Sequence, residues 1–123
     1  MTKMTKQYQP KFVKKPWGHE LIWALTADYV GKMIHIDKGH RLSRQFHKQK
    51  EETIKILDGD LVLEIGDPQK KDFQTLNLSP GDTFHITPGL IHRFCSHNTP
   101  VVICEVSTPQ LDDVVRLADD YKR

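Results

Sequence analysis

Gly39-His40-Arg41-Leu42-Ser43-Arg44-Gln45-Phe46-His47 opens the stretch that decides the fold. Read for spacing, it continues as Gly39-x5-Gln45-x-His47-x4-Glu52-x6-Gly59. A second string follows it, Gly81-x5-Thr87-x-Gly89-x2-His92-x3-Ser96. Gln45 and His47 stand two apart, so a strand puts both side chains on one face. An amide oxygen, two imidazoles and the Glu52 carboxylate form a set of borderline-to-hard metal ligands. Gly59 and Gly89 fit positions where the backbone turns tightly, and Pro88 stiffens the turn before His92.

Outward from these strings the chain reads as short strands broken by turn signals. Gly31–Asp37 alternates, with Met33 and His35 on one face and Ile34 and Ile36 on the other. Thr53–Leu57 and Leu61–Ile65 flank Asp58-Gly59-Asp60, the signature of a hairpin. Phe73–Leu78, Thr83–Ile86, Ile91–Cys95 and Val101–Val106 follow, each bounded by Gly, Pro, Asn or Asp. About nine short strands at close spacing predict a sandwich or barrel. Leu111–Ala118 reads as one helical turn or a final strand. Composition agrees: Ile, Val and Thr occur 26 times and Ala three times. The length of 123 residues suits one domain. Residues 1–11, with Lys3, Lys6 and Lys11, read as a flexible tail, and 12–123 as the single domain.

The net charge of +2 gives no mandate for nucleic acid. No run of about 18 apolar residues spans a membrane. MTKMTKQYQPKFVKK lacks the apolar segment of a secretory signal, so a cytoplasmic location is the expectation. Cys95 and Cys104 lie in apolar strand-like segments and read as two reduced core cysteines.

Every spacing in the two glycine-framed strings resembles the two cupin motifs, G-x5-H-x-H-x3,4-E-x6-G and G-x5-P-x-G-x2-H-x3-N. Three identities depart, with Gln45 for the first His, Thr87 for Pro and Ser96 for Asn. The resemblance implies an all-β cupin double-stranded β-helix, a jelly-roll-like barrel. A Gln-x-His pair, a Glu and a distant His resemble the metal ligands of phosphomannose isomerases. Three stretches resemble their type II branch, the C-terminal isomerase domain of bifunctional mannose-6-phosphate isomerase/mannose-1-phosphate guanylyltransferases. They are Lys15-Pro16-Trp17-Gly18, Gly39 to His47, and Asp112-Asp113-Val114-Val115-Arg116-Leu117 with Asp119-Asp120-Tyr121-Lys122-Arg123. The His92-Arg93 pair matches too, and the likeness runs from Phe12 to Arg123. The nucleotidyltransferase half is absent. Lys48-Gln49-Lys50 stands where the type II pattern has a histidine-rich run, which puts the same substrate specificity in question.

The resemblance implies a divalent metal held by Gln45, His47, Glu52 and His92. Zn, Mn, Fe, Co and Ni all suit this set, which does not choose among them. It implies an aldose–ketose isomerase acting on a sugar or sugar phosphate, with no nucleic-acid or membrane partner. Arg93 and Arg41 match subfamily positions and are the candidates for binding phosphate. His85, Lys50 and Glu51 are candidates for proton transfer by their nearness in sequence. Lys50 and Glu51 read as solvated. Trp17 and Trp23 suit core or dimer packing, and Asp119-Asp120-Tyr121 suits a structural latch. A homodimer is expected by family analogy, with Leu21–Leu25 as the segment that pairs. A non-catalytic sugar-binding cupin and an iron-dependent dioxygenase are the alternatives. A metal-free sugar-nucleotide epimerase would not need the ligand set.

Overall fold

The structure is a computed structural model that describes residues 7–67 and 72–122. Residues 1–6 of the expected tail lie outside the described residues, 7–10 form no regular element, and Lys11 already begins a strand. The strands are β1 (Lys11–Lys15), β2 (Gly18–Leu25), β3 (Val30–Ile36), β4 (Arg44–Phe46), β5 (Glu52–Asp58) and β6 (Leu61–Gly66). They continue as β7 (Phe73–Leu78), β8 (Thr83–Ile86), β9 (Ile91–Ser96), β10 (Val101–Ser107) and β11 (Val115–Ala118). Among the described residues there are two more strands than the nine expected, because β1 and the three-residue β4 carry little alternation to read. Leu111–Ala118 resolves into a turn at 111–112 and the strand β11, with no helix.

Two antiparallel sheets face each other. One has the order β1-β2-β3-β10-β5-β8 and the other β11-β4-β9-β6-β7. Alternation sets the inner face. Ile34 and Ile36 of β3, Ile54 and Ile56 of β5, and Val101 and Ile103 of β10 are almost fully buried. Leu61, Leu63 and Phe94 meet them from the second sheet, with Trp17 closing one end. The hairpin between β5 and β6 depends on Gly59, whose φ is +77°. A Cβ there would lie 2.0 Å from the Pro100 carbonyl oxygen.

The cysteines are free as expected, and of the two only Cys95 is fully buried. Cys104 sits half-buried on the outer face of β10, between the inward Ile103 and Glu105. Cys95 is buried on the outer face of β9, beneath the Arg41 bridge and beside Glu64. Burial first, and Glu64 second, push its thiol up to about 11, so it stays protonated. Trp17 is a core residue, as expected. Trp23 lies half-exposed on the outer face, where its ring packs against Gly31.

Candidate metal centre

The centre is assembled from both sheets. Gln45 and His92 are directly paired across β4 and β9, and His47 follows β4 by one residue. Glu52 is the first residue of β5 in the opposite sheet. Ligand atoms of His47, Glu52 and His92 all lie within 4.8 Å of one another, and all three residues are buried. Glu52 Oε1 is 3.3 Å from Nε2 of His47 and 3.3 Å from Nε2 of His92.

The other ring nitrogens fix the chemistry. His47 Nδ1 is 2.6 Å from the Asp113 carbonyl oxygen, and His92 Nδ1 is 3.0 Å from that of Leu90. A carbonyl only accepts, so each Nδ1 carries the proton and each Nε2 presents a lone pair. Both Nε2 atoms are buried without a hydrogen-bond donor. Two lone pairs and a carboxylate oxygen therefore converge with nothing positive between them. Such a set fits a divalent cation. Gln45 Oε1 accepts a 2.6 Å hydrogen bond from Ser43 Oγ, and its side chain lines the same cavity as His47.

Behind Glu52 runs a chain of buried charges. Lys50 Nζ is 3.5 Å from Glu52 Oε2 and 3.4 Å from Glu105 Oε2. Lys32 Nζ is 3.6 Å from Glu105 Oε2 and 3.3 Å from Glu20 Oε1. Burial pushes the Glu105 carboxyl up to about 8, and the charge of Glu52 adds to that against the opposing Lys32. Burial works against ionisation of Glu52 as well. There the hydrogen bond from Glu105 and the Lys50 ammonium oppose it, and the carboxyl is held well below its usual range. Glu52 is thus the ionised member of the pair, which is the state a metal ligand requires.

The structure sorts the residues expected in the site. Lys50 is buried rather than solvated, because two carboxylates offset the cost of removing its charge from water. It lines a cavity of about 210 Å³ with His47, Gln45, Lys32 and Glu20. Glu51 and His85 form a 2.5 Å pair, each side chain about half exposed. His85 is in register with Thr53, which faces away from the inward Glu52 and Ile54, so this pair stands outside the centre. Arg93 is buried, with Nε donating to the Leu42 carbonyl at 2.8 Å and an outer nitrogen 3.2 Å from Asp120. Arg41 donates to both oxygens of Asp120, at 2.7 and 3.1 Å. Neither arginine faces the cavity; both clamp the tail, which Tyr121 also ties to His40 at 2.9 Å. Asp119-Asp120-Tyr121 is therefore a latch. Arg44, turned the other way, pairs with Glu64 at 2.7 Å and lies 4.1 Å over the Phe73 ring.

Sequence reasoning missed Lys15, Lys32, Glu105, Asp113 and Arg116. Lys32 and Glu105 occupy inward positions of otherwise apolar strands, and that was a readable signal. Lys15 on β1 and Arg116 on β11 line the cavity from the edge strands of the two sheets, which only the topology brings together. Neither has an acidic partner among the described residues.

Residues 32–107 match the family described as Cupin domain. The chain belongs to the cupin family. This cupin shares its fold with the capsular polysaccharide assembling protein CapF from Staphylococcus aureus, at a TM-score of 0.80 and 16% identity. That match covers 90% of this chain and 35% of CapF, so the cupin spans about a third of that protein. KdgF from Halomonas sp. matches at a TM-score of 0.71 and 18% identity, over 83% of this chain and 90% of KdgF. Oxalate decarboxylase from Bacillus subtilis matches at 0.74 and 13% identity, over 88% of this chain and 30% of that one. Likeness at these identities concerns the fold alone. No curated protein matches the chain in sequence. Among the described residues no helix is long and apolar enough to cross a membrane.

Proposed function

We propose that this cupin is a metal-dependent aldose–ketose isomerase acting on a sugar phosphate of the mannose 6-phosphate type. One observation carries the reading. His47, whose unpartnered Nε2 lies 3.3 Å from Glu52, lines a cavity with Gln45, and Lys15, Lys32, Lys50 and Arg116 outnumber Glu20 and Asp112 in its lining. A metal-binding wall and a cationic rim suit a substrate with oxygen ligands at one end and an anion at the other. The type II phosphomannose isomerase resemblance supports the same substrate.

His47, Glu52 and His92 would hold the ion, with Gln45 as a fourth, neutral ligand. A bound divalent ion supplies Lewis acidity that polarises adjacent hydroxyl and carbonyl oxygens. Lys15 and Arg116 take the phosphate, in place of Arg41 and Arg93. Lys50 is the one proton-transfer candidate of the three that lines the cavity, and as an ammonium it would donate to a substrate oxygen rather than take a proton from carbon. The Lys50 ion pairs also favour a second reading, a cupin that binds sugar anions without turnover. The exposed Trp23 and Leu25 on the outer sheet face belong to the proposed homodimer contact, and a cytoplasmic location completes the proposal.

Protein loaded in turn with Zn²⁺, Mn²⁺, Fe²⁺, Co²⁺ or Ni²⁺ is expected to interconvert mannose 6-phosphate and fructose 6-phosphate. Tight binding without turnover selects the binding cupin, and oxygen uptake with iron selects the dioxygenase. Arg116→Ala should weaken phosphosugar binding by about 1–3 kcal/mol in calorimetry.

A further inference from the structure

The loop between the ligands His47 and Glu52 is held by a residue more than sixty positions away. Asp113 lies between the turn at 111–112 and β11. Its carboxylate accepts three successive backbone N–H groups, those of Lys48 at 3.0 Å, Gln49 at 2.7 Å and Lys50 at 2.9 Å. Its carbonyl oxygen accepts the His47 Nδ1–H at 2.6 Å. The main chain of His47 is pinned from the other side, where its carbonyl accepts the Gly89 N–H at 2.7 Å. Gly89 begins the approach to His92, so the main chain of one imidazole is referenced to the strand of the other. The ring torsion of His47 is left to the Asp113 carbonyl.

We infer that Asp113 is a positioning residue for the metal centre, fixing the ring orientation and tautomer of His47 through its carbonyl and the 48–50 loop through its carboxylate. The inference rests on the metal centre proposed above. Its physical basis is two-point attachment. The three N–H bonds anchor the Asp113 main chain to the loop that follows His47, so the accepting carbonyl cannot drift from the ring it orients. Outer hydrogen bonds of this kind set the basicity and direction of a ligating imidazole. Asp113 needs no contact with the ion, since its hydrogen bond to the ring is made by its carbonyl. The short C-terminal strand is thereby more than a cover: its entry residue is part of the site.

The test is calorimetric titration of the full chain with Co²⁺, read together with the visible absorption of the bound ion. Wild type is expected to bind one Co²⁺. Asp113→Ala should weaken that binding at least about tenfold and shift the absorption band, since the band reports ligand geometry. Asp113→Asn, whose amide oxygen still accepts backbone N–H groups, should recover most of the affinity. If Asp113→Ala does not fold, Asp113→Ser carries the same comparison. An alanine or serine variant that matches wild type in affinity and spectrum overturns the inference, whatever its melting temperature, because Asp113 is then only a structural cap. A wild type that takes up no Co²⁺ instead removes the metal centre itself, and this inference with it.

Discussion

The inner face of the larger sheet is two surfaces on the same strands. At one end, Ile34 of β3 is in register with Ile103 of β10, and Ile103 with Ile56 of β5. Two residues further along, Lys32 is in register with Glu105, and four further along Ser107 is in register with Glu52. The β10–β5 ladder shifts register between Val102 and Ile103 in the apolar half, and both halves are buried. The difference lies in what burial does. The apolar half gains from leaving water, while the polar half loses and recovers the loss only through Lys32, Lys50 and the carboxylates between them. The hydrophobic half supplies the stability that offsets the polar one.

The sharpest way to break this division is Ile56→Ala, in the apolar half. It should cost about 2–5 kcal/mol in denaturant unfolding and leave Co²⁺ affinity within a factor of two. A matching loss of metal affinity would show that the halves are not separate. Next in size is Glu105→Leu, which takes one of two carboxyl partners from each of Lys32 and Lys50 and should cost about 1–3 kcal/mol. Adding Lys32→Met should restore part of that stability without restoring the metal centre. If the double variant is no more stable than the single one, the ion chain is structural after all. The smallest effect concerns the latch, outside both halves. The Arg41 hydrogen bond holds the Asp120 carboxyl below its ordinary 3.8, so the latch contributes fully above about pH 4. That contribution fades as pH falls through the lower folded value. Asp120→Asn should lower stability near neutrality by the contribution of the latch, and the variant and wild-type curves should converge as pH falls through the lowered folded value.

Much of the site was legible because ligands obey local spacing. His47 and Glu52 flank one short loop, and His92 follows a Pro-Gly turn, so glycine-framed motifs point to all three. The arginines close to them in sequence do not line the cavity. Arg41 and Arg93 are near the ligands in sequence, but Arg93 alternates away from His92 and falls on the opposite face of β9. Arg41 is drawn off by Asp120. Lys50 looked solvated because a lysine between Gln49 and Glu51 carries no sign that Glu105 waits fifty-five residues away.

The sequence by itself determined the all-β class, the cupin motifs and the three residues that converge in the candidate metal centre, since these follow from alternation, turn glycines and short spacings. The tertiary structure alone decided which charges meet. It placed Lys15 and Arg116 on edge strands of different sheets, threaded Lys32 and Glu105 behind Glu52, and brought Asp113 onto His47. Such meetings depend on strand order and register between distant segments, and a one-residue slip would turn each of these side chains to the other face.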